Sequence, residues 1–169
     1  MTIVADPDFA TQAGTGSGTS LYTPEQRVRR DATRWTLVQG VLAPVQFLVF
    51  LVSLGLVLFY LQTGRGYDAA TVSILVKTFF LLMIMITGAI WEKVVFGQYL
   101  FAPAFFWEDV FSFAVIALHV GYVAALFLGD FAPAQLMWIA LAAYATYVVN
   151  AGQFIWKLRR ARLDAGAGA

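Results

Sequence analysis

Four stretches of the chain are apolar almost without interruption, from about Leu37 to Leu61, Ala70 to Trp91, Trp107 to Leu128 and Pro133 to Trp156. About 20 such residues, rising ~1.5 Å each, cross the hydrocarbon layer of a bilayer, so each stretch predicts a transmembrane helix. Polar positions punctuate the pattern. Residues 1–20, MTIVADPDFATQAGTGSGTS, are small and polar and predict a disordered tail, because they cannot bury enough apolar surface to order themselves. Thr23-Pro24-Glu25-Gln26 reads as a helix start, with Thr as cap, Pro at the first helical position and Gln three residues after the cap. That helix carries Arg27, Arg29, Arg30 and Arg34 before Trp35. It is either a basic segment at anionic headgroups or a solvated charged run. Residues 1–34 hold no apolar signal-peptide core, so the first span is expected to act as the insertion signal. Pro44 removes a backbone donor inside that span and predicts a kink that frees the Gly40 carbonyl. The predicted fold is all-α: a polytopic bundle of four transmembrane helices over residues 21–163, with a flexible tail at 164–169.

Charge gives the bundle a direction. Four arginines precede the first span, Lys157, Arg159, Arg160 and Arg162 follow the last, and Lys93 lies between the second and third. Arg65 is the only basic residue in a connection on the opposite side. The positive-inside rule then predicts cytoplasmic termini and a cytoplasmic 92–107 connection. Composition agrees with lipid as solvent, since 60% of residues are hydrophobic and 12% charged, against roughly a quarter charged in soluble domains. The absence of cysteine excludes disulfides, iron–sulfur clusters and thiolate metal sites, and a single histidine excludes bis-histidine haem ligation within one chain. A net charge of +1 gives nucleic-acid binding no support.

Candidate chemistry gathers in GAIWEKVVFGQYLFAPAFFWEDVFS, residues 88–112, where Glu92, Lys93, Glu108 and Asp109 stand at two helix ends. The connection between them, with Tyr99, Phe101, Phe105, Phe106 and Trp107, is too apolar for a solvated loop and too short for a span. It predicts an aromatic interfacial or re-entrant segment; the plainer reading is an aromatic belt with charges marking helix ends. In the third span Glu108, Ser112, Val115, His119 and Tyr122 repeat at helical spacing, which carries a polar line inward from the acidic end. His119 lies ~16 Å along the helix from Glu108. It could ligate a chlorin magnesium, act as an acid or base, or hydrogen-bond a neighbouring helix. Lys77 sits within snorkelling reach of the opposite surface. Tyr144, Tyr147, Asn150 and Gln153 wall a polar pocket or serve as interhelical glue.

The strings LYTPEQRVRRD, VQGVLAPVQFLVFLVSLGL, residues 88–112 as quoted, the ALH of the third span and YATYVVNAGQF together resemble the 3-vinyl bacteriochlorophyllide hydratases over about residues 21–163. The resemblance implies a hydro-lyase of bacteriochlorophyll biosynthesis in a bacterial cytoplasmic or intracytoplasmic photosynthetic membrane. Its substrate would be a chlorophyllide or bacteriochlorophyllide, whose 3-vinyl group becomes 3-(1-hydroxyethyl). Hydration involves no net redox change and calls for no cofactor. Such a reaction needs an acid and a placed water. The expected donor is Glu108 or Glu92, with Asp109 or a second glutamate acting on the water and His119 a candidate ligand of the substrate magnesium. Lys93 or Arg34 is expected to pair with the substrate propionate, and Tyr99, Phe105, Phe106, Trp107 and Asn150 to line its ring. Association into a homo-oligomer or a biosynthetic complex stays open. A non-catalytic chlorin-binding or photosynthetic-assembly protein is the competing reading.

Overall fold

The computed structural model describes the backbone of residues 21–167, with side chains described through Arg160 and at Leu163; the tail expected at 1–20 lies outside the described residues. Among the described residues there are five helices: α1 Pro24–Ala32, α2 Arg34–Thr63, α3 Tyr67–Phe96, α4 Phe106–Leu128 and α5 Pro133–Ala167. The last four each contain a segment long and apolar enough to cross a membrane. They run roughly 35–50 Å at 1.5 Å per residue, longer than the ~30 Å hydrocarbon layer, so their ends reach headgroup depth. Backbone helix continues to Ala167, into the stretch expected as a tail, whose last two residues are outside the described ones.

Local chemistry sets the helix ends. Thr23 and Gln26 form the expected capping box, each side chain bonding the other's backbone N–H at 3.3 and 2.8 Å. The basic segment is not one helix with the span, however. Thr33 adopts an extended conformation, its N–H bonding the Arg29 carbonyl while its hydroxyl accepts from the Trp35 N–H, so Arg34 opens α2. α2 remains helical through Pro44. Gly97, at φ 88°, closes α3 in the left-handed conformation that glycine adopts at no steric cost.

The bundle is built from two antiparallel pairs. α2 packs on α3 with Thr36 bonding Trp91, Gln39 bonding Thr87, Ser53 facing Ser73 and Tyr60 against Tyr67. α4 packs on α5 in the same manner, Glu108 meeting Lys157, Ser112 meeting Asn150 and His119 meeting Tyr144. Contacts of α2 with α5 and of α3 with α4 close the bundle. Phe50, Val57, Ile74, Leu81, Val115, Tyr122, Met137 and Tyr144 fill its interior. Leu37, Leu48, Val52, Phe79, Phe127, Trp138 and Val149 point outward and stay exposed. At about 1.5–3 kcal/mol for each large apolar side chain left in water, that girdle fits lipid. The protein is a multi-pass membrane protein.

Lys77 departs from the sequence expectation. Instead of snorkelling it is wholly buried, with Nζ 3.6 Å from the centre of the Tyr147 ring. A lysine at the middle of a membrane helix costs about 2.5–3.5 kcal/mol, and a desolvated cation–π contact contributes about 2 kcal/mol, so the Tyr147 face offsets most of the burial.

Candidate active site

The carboxyl groups singled out in the sequence meet where α3 ends and α4 begins. Glu92 is the last buried polar residue of α3, and Glu108 and Asp109 occupy the first turn of α4, where the helix dipole favours negative charge; all three are less than a tenth exposed. The connection at 97–105 folds back over them. Asp109 accepts the Phe101 N–H at 2.6 Å, and Glu92 accepts the N–H of the fully buried Ala102 at 3.2 Å. These bonds hold Phe101 at φ 59°, a left-handed conformation that costs a non-glycine residue about 1–3 kcal/mol, while its ring stacks on Phe113. The Glu92 and Asp109 carboxyls lie within hydrogen-bonding reach of one another.

Glu108 turns the other way and pairs with Lys157 of α5 at 2.6 Å. The sequence left the donor open between Glu108 and Glu92, with Asp109 acting on the water. Adjacent helix positions diverge by about 100°, so Asp109 faces α3 and Glu108 faces α5. Lys157 itself entered the sequence reading only as a charge that orients the chain. Its spacing from Asn150 and Gln153, at offsets of 7 and 4, was the signal that it shares their face.

Aromatic rings enclose this end of the bundle. Phe105, itself buried, has Trp91, Phe96 and Phe154 at centroid distances of 5.7, 5.8 and 6.0 Å, and Lys157 Nζ lies 4.9 Å from its centre. Tyr22, just before α1, stacks on Phe96, and Arg30 covers its other neighbourhood at 4.8 Å. Burial raises the Tyr22 phenol above its usual range, which keeps it neutral in this cluster.

The remaining expected site residues divide. Lys93 is exposed at the same end, donating to the Gly97 carbonyl at 2.7 Å with Nζ 5.3 Å from the Tyr99 ring centre. Arg34 is exposed at the start of α2. Tyr99, Phe106 and Trp107 point outward rather than into the aromatic cluster around Phe105. Asn150 is buried and donates to Ser112 Oγ at 2.9 Å, one helical turn inside the carboxyls. His119 is not brought to the carboxyls. It lies ten residues, roughly 15 Å, along α4 from Asp109, beside Tyr144. Its Nδ1 is 2.8 Å from the Val115 carbonyl, which can only accept, so Nδ1 is assigned the hydrogen and Nε2 the lone pair. Among the described residues no three histidine, aspartate or glutamate side chains gather as a metal-holding group.

The arrangement is suited to proton transfer on an apolar conjugated ligand. Two facing carboxyls carry one proton between them more readily than none, and aromatic walls match a planar ring.

The family model of 2-vinyl bacteriochlorophyllide hydratases matches residues 22–160. A curated protein of Cereibacter sphaeroides named 2-vinyl bacteriochlorophyllide hydratase is 78% identical over 144 residues, 85% of this chain and 89% of its own length. One of the same name from Rhodobacter capsulatus is 71% identical over 148 residues, 88% of this chain and 86% of its own. No solved structure matches the chain. The family match begins before α1, includes the carboxyl-bearing junction and ends within α5, and the chain belongs to the 2-vinyl bacteriochlorophyllide hydratase family.

Proposed function

We propose that this chain is a hydro-lyase that adds water across a vinyl group of a chlorophyllide or bacteriochlorophyllide, giving a 1-hydroxyethyl group in bacteriochlorophyll biosynthesis. The relatives' name numbers the vinyl 2 where the resemblance gave 3. The observation that carries the mechanism is the Glu92–Asp109 pair, bound by adjacent backbone N–H groups.

Asp109 takes the shorter backbone bond and holds the negative charge, while Glu92 holds the shared proton and is the donor. Protonation of the terminal vinyl carbon leaves a cation on the inner carbon, which the macrocycle delocalises. Water adds there and its surplus proton returns to the carboxyl pair, so the acid is regenerated. Glu108, held by Lys157, anchors α5 against this end. The substrate ring lies near the aromatic cluster, and its propionate pairs with Lys93, whose ammonium keeps two donors beyond the Gly97 bond, or with Arg34. The site opens to the cytoplasmic interface, with both termini and the aromatic connection on that side of a bacterial inner or intracytoplasmic membrane.

Membranes containing the protein, incubated with 3-vinyl chlorophyllide in oxygen-18 water, are expected to yield pigment carrying one added labelled water that control membranes lack. Pigment that co-purifies unchanged would instead establish a chlorin-binding or assembly protein.

A further inference from the structure

Among the described residues, two buried amide oxygens beside the carboxyl end accept no hydrogen bond: Oδ1 of Asn150 and Oε1 of Gln153. They stand three residues apart on one face of α5. Asn150, more than nine-tenths buried, is fixed by its donation to Ser112, which lies three residues beyond Asp109 and four beyond Glu108 on α4. Asn150 therefore sits about 5 Å deeper in the bundle than the carboxyls, and Gln153, three residues nearer Lys157 on α5, lies between the two levels. Buried acceptors of this kind need donors. A carboxylate or carbonyl brings none, and a cation is opposed by Lys157, four residues from Gln153 on the same face. A water molecule brings two donors and leaves its lone pairs unengaged.

We propose that Asn150 and Gln153 hold the water that adds to the substrate, an inference that rests on the hydratase reading above. Glu92 gives its proton to the terminal vinyl carbon, the π pair forming the new C–H bond and leaving the inner carbon cationic. The held water forms the C–O bond through a lone pair, and the resulting oxonium releases one proton to the carboxyl pair. One water is consumed and the pair ends with the proton count it began with. Because the water is fixed on one side of a planar cation, hydroxyl arrives at one face and a single epimer results.

The test is the epimer ratio of the hydroxyethyl product, read by chromatography, since the other stereocentres of the macrocycle make the two epimers diastereomers. The full-length protein in membranes is expected to give one epimer in large excess. Asn150→Leu and Gln153→Leu are expected to lower kcat about tenfold or more with KM for the pigment unchanged, and to move the ratio toward equality. Gln153→Glu, which keeps an acceptor oxygen, is expected to retain the ratio. If the leucine variants do not fold, the unaltered protein in water–methanol mixtures decides the matter: a site fitted to water yields alcohol without methyl ether. Leucine variants that keep the original ratio, a change confined to KM, an unaltered protein that gives both epimers equally, or ether formed in proportion to methanol would each overturn the water site alone. Absence of any hydroxyethyl product from the unaltered protein would overturn the hydratase reading and the water site with it.

Discussion

Glu92, Asp109 and Glu108 share one end of the bundle but have different partners. Glu108 is paired with the Lys157 ammonium rather than with a second carboxyl, so the proposed mechanism does not use it as the donor. Glu92 has the longer backbone bond of the two and a carboxyl neighbour, and the proposed mechanism makes it the donor. Glu92→Gln is therefore expected to lower kcat by about 10²- to 10⁴-fold, the range typical of a lost general acid. Glu108→Gln should stay within about tenfold of the parent. Pigment turnover by both variants, with helical content checked by circular dichroism, separates the two assignments. Equal losses, or full activity of Glu92→Gln, would return the donor role to Glu108.

At the scale of elements, the antiparallel register of α4 and α5 aligns the inward polar line of one helix with that of the other. Lys157 caps that register, and removing it alone would leave the nearly buried Glu108 charge uncompensated. A fully buried pair broken on one side costs 3–5 kcal/mol. With the Lys157 side chain 26% exposed, about 1–3 kcal/mol is expected for Lys157→Met. The double variant Lys157→Met with Glu108→Gln should recover part of that loss, since no charge is then stranded. Unfolding of the four proteins in detergent measures the cycle. A double variant less stable than Lys157→Met by the full cost of Glu108→Gln would mean that the pair contributes no coupling.

For the whole molecule, orientation decides which compartment supplies substrate. The chain contains no cysteine, so single cysteines report accessibility directly. With cytoplasmic termini, a membrane-impermeant maleimide is expected to label Asp130→Cys in the α4–α5 connection on intact spheroplasts. Gln98→Cys, in the α3–α4 connection, should react only after lysis. The opposite pattern would place the carboxyl site on the outer face and reassign the substrate's compartment. Both positions are exposed and outside the helices, so folding should tolerate either change.

What the sequence determined by itself was whatever follows from local composition. The four spans are legible because about 20 apolar residues have no other stable home. The cap at Thr23 is legible because it depends on neighbours three residues away, and the inward face of α4 because helical periodicity alone places Glu108, Val115, His119 and Tyr122 in one line. Tertiary structure decided the pairings, which couple residues far apart in the chain. It placed Glu108 on Lys157 and Asp109 toward Glu92, and buried Lys77 against Tyr147 rather than letting it reach the surface. The break at Thr33 also escaped the sequence, because threonine is unremarkable in a helical run until its hydroxyl and N–H are both seen to cap. Sequence supplied the reactive groups; which carboxyl faces which partner was set by the rotation of each helix, and that rotation is fixed only when the four apolar faces pack together.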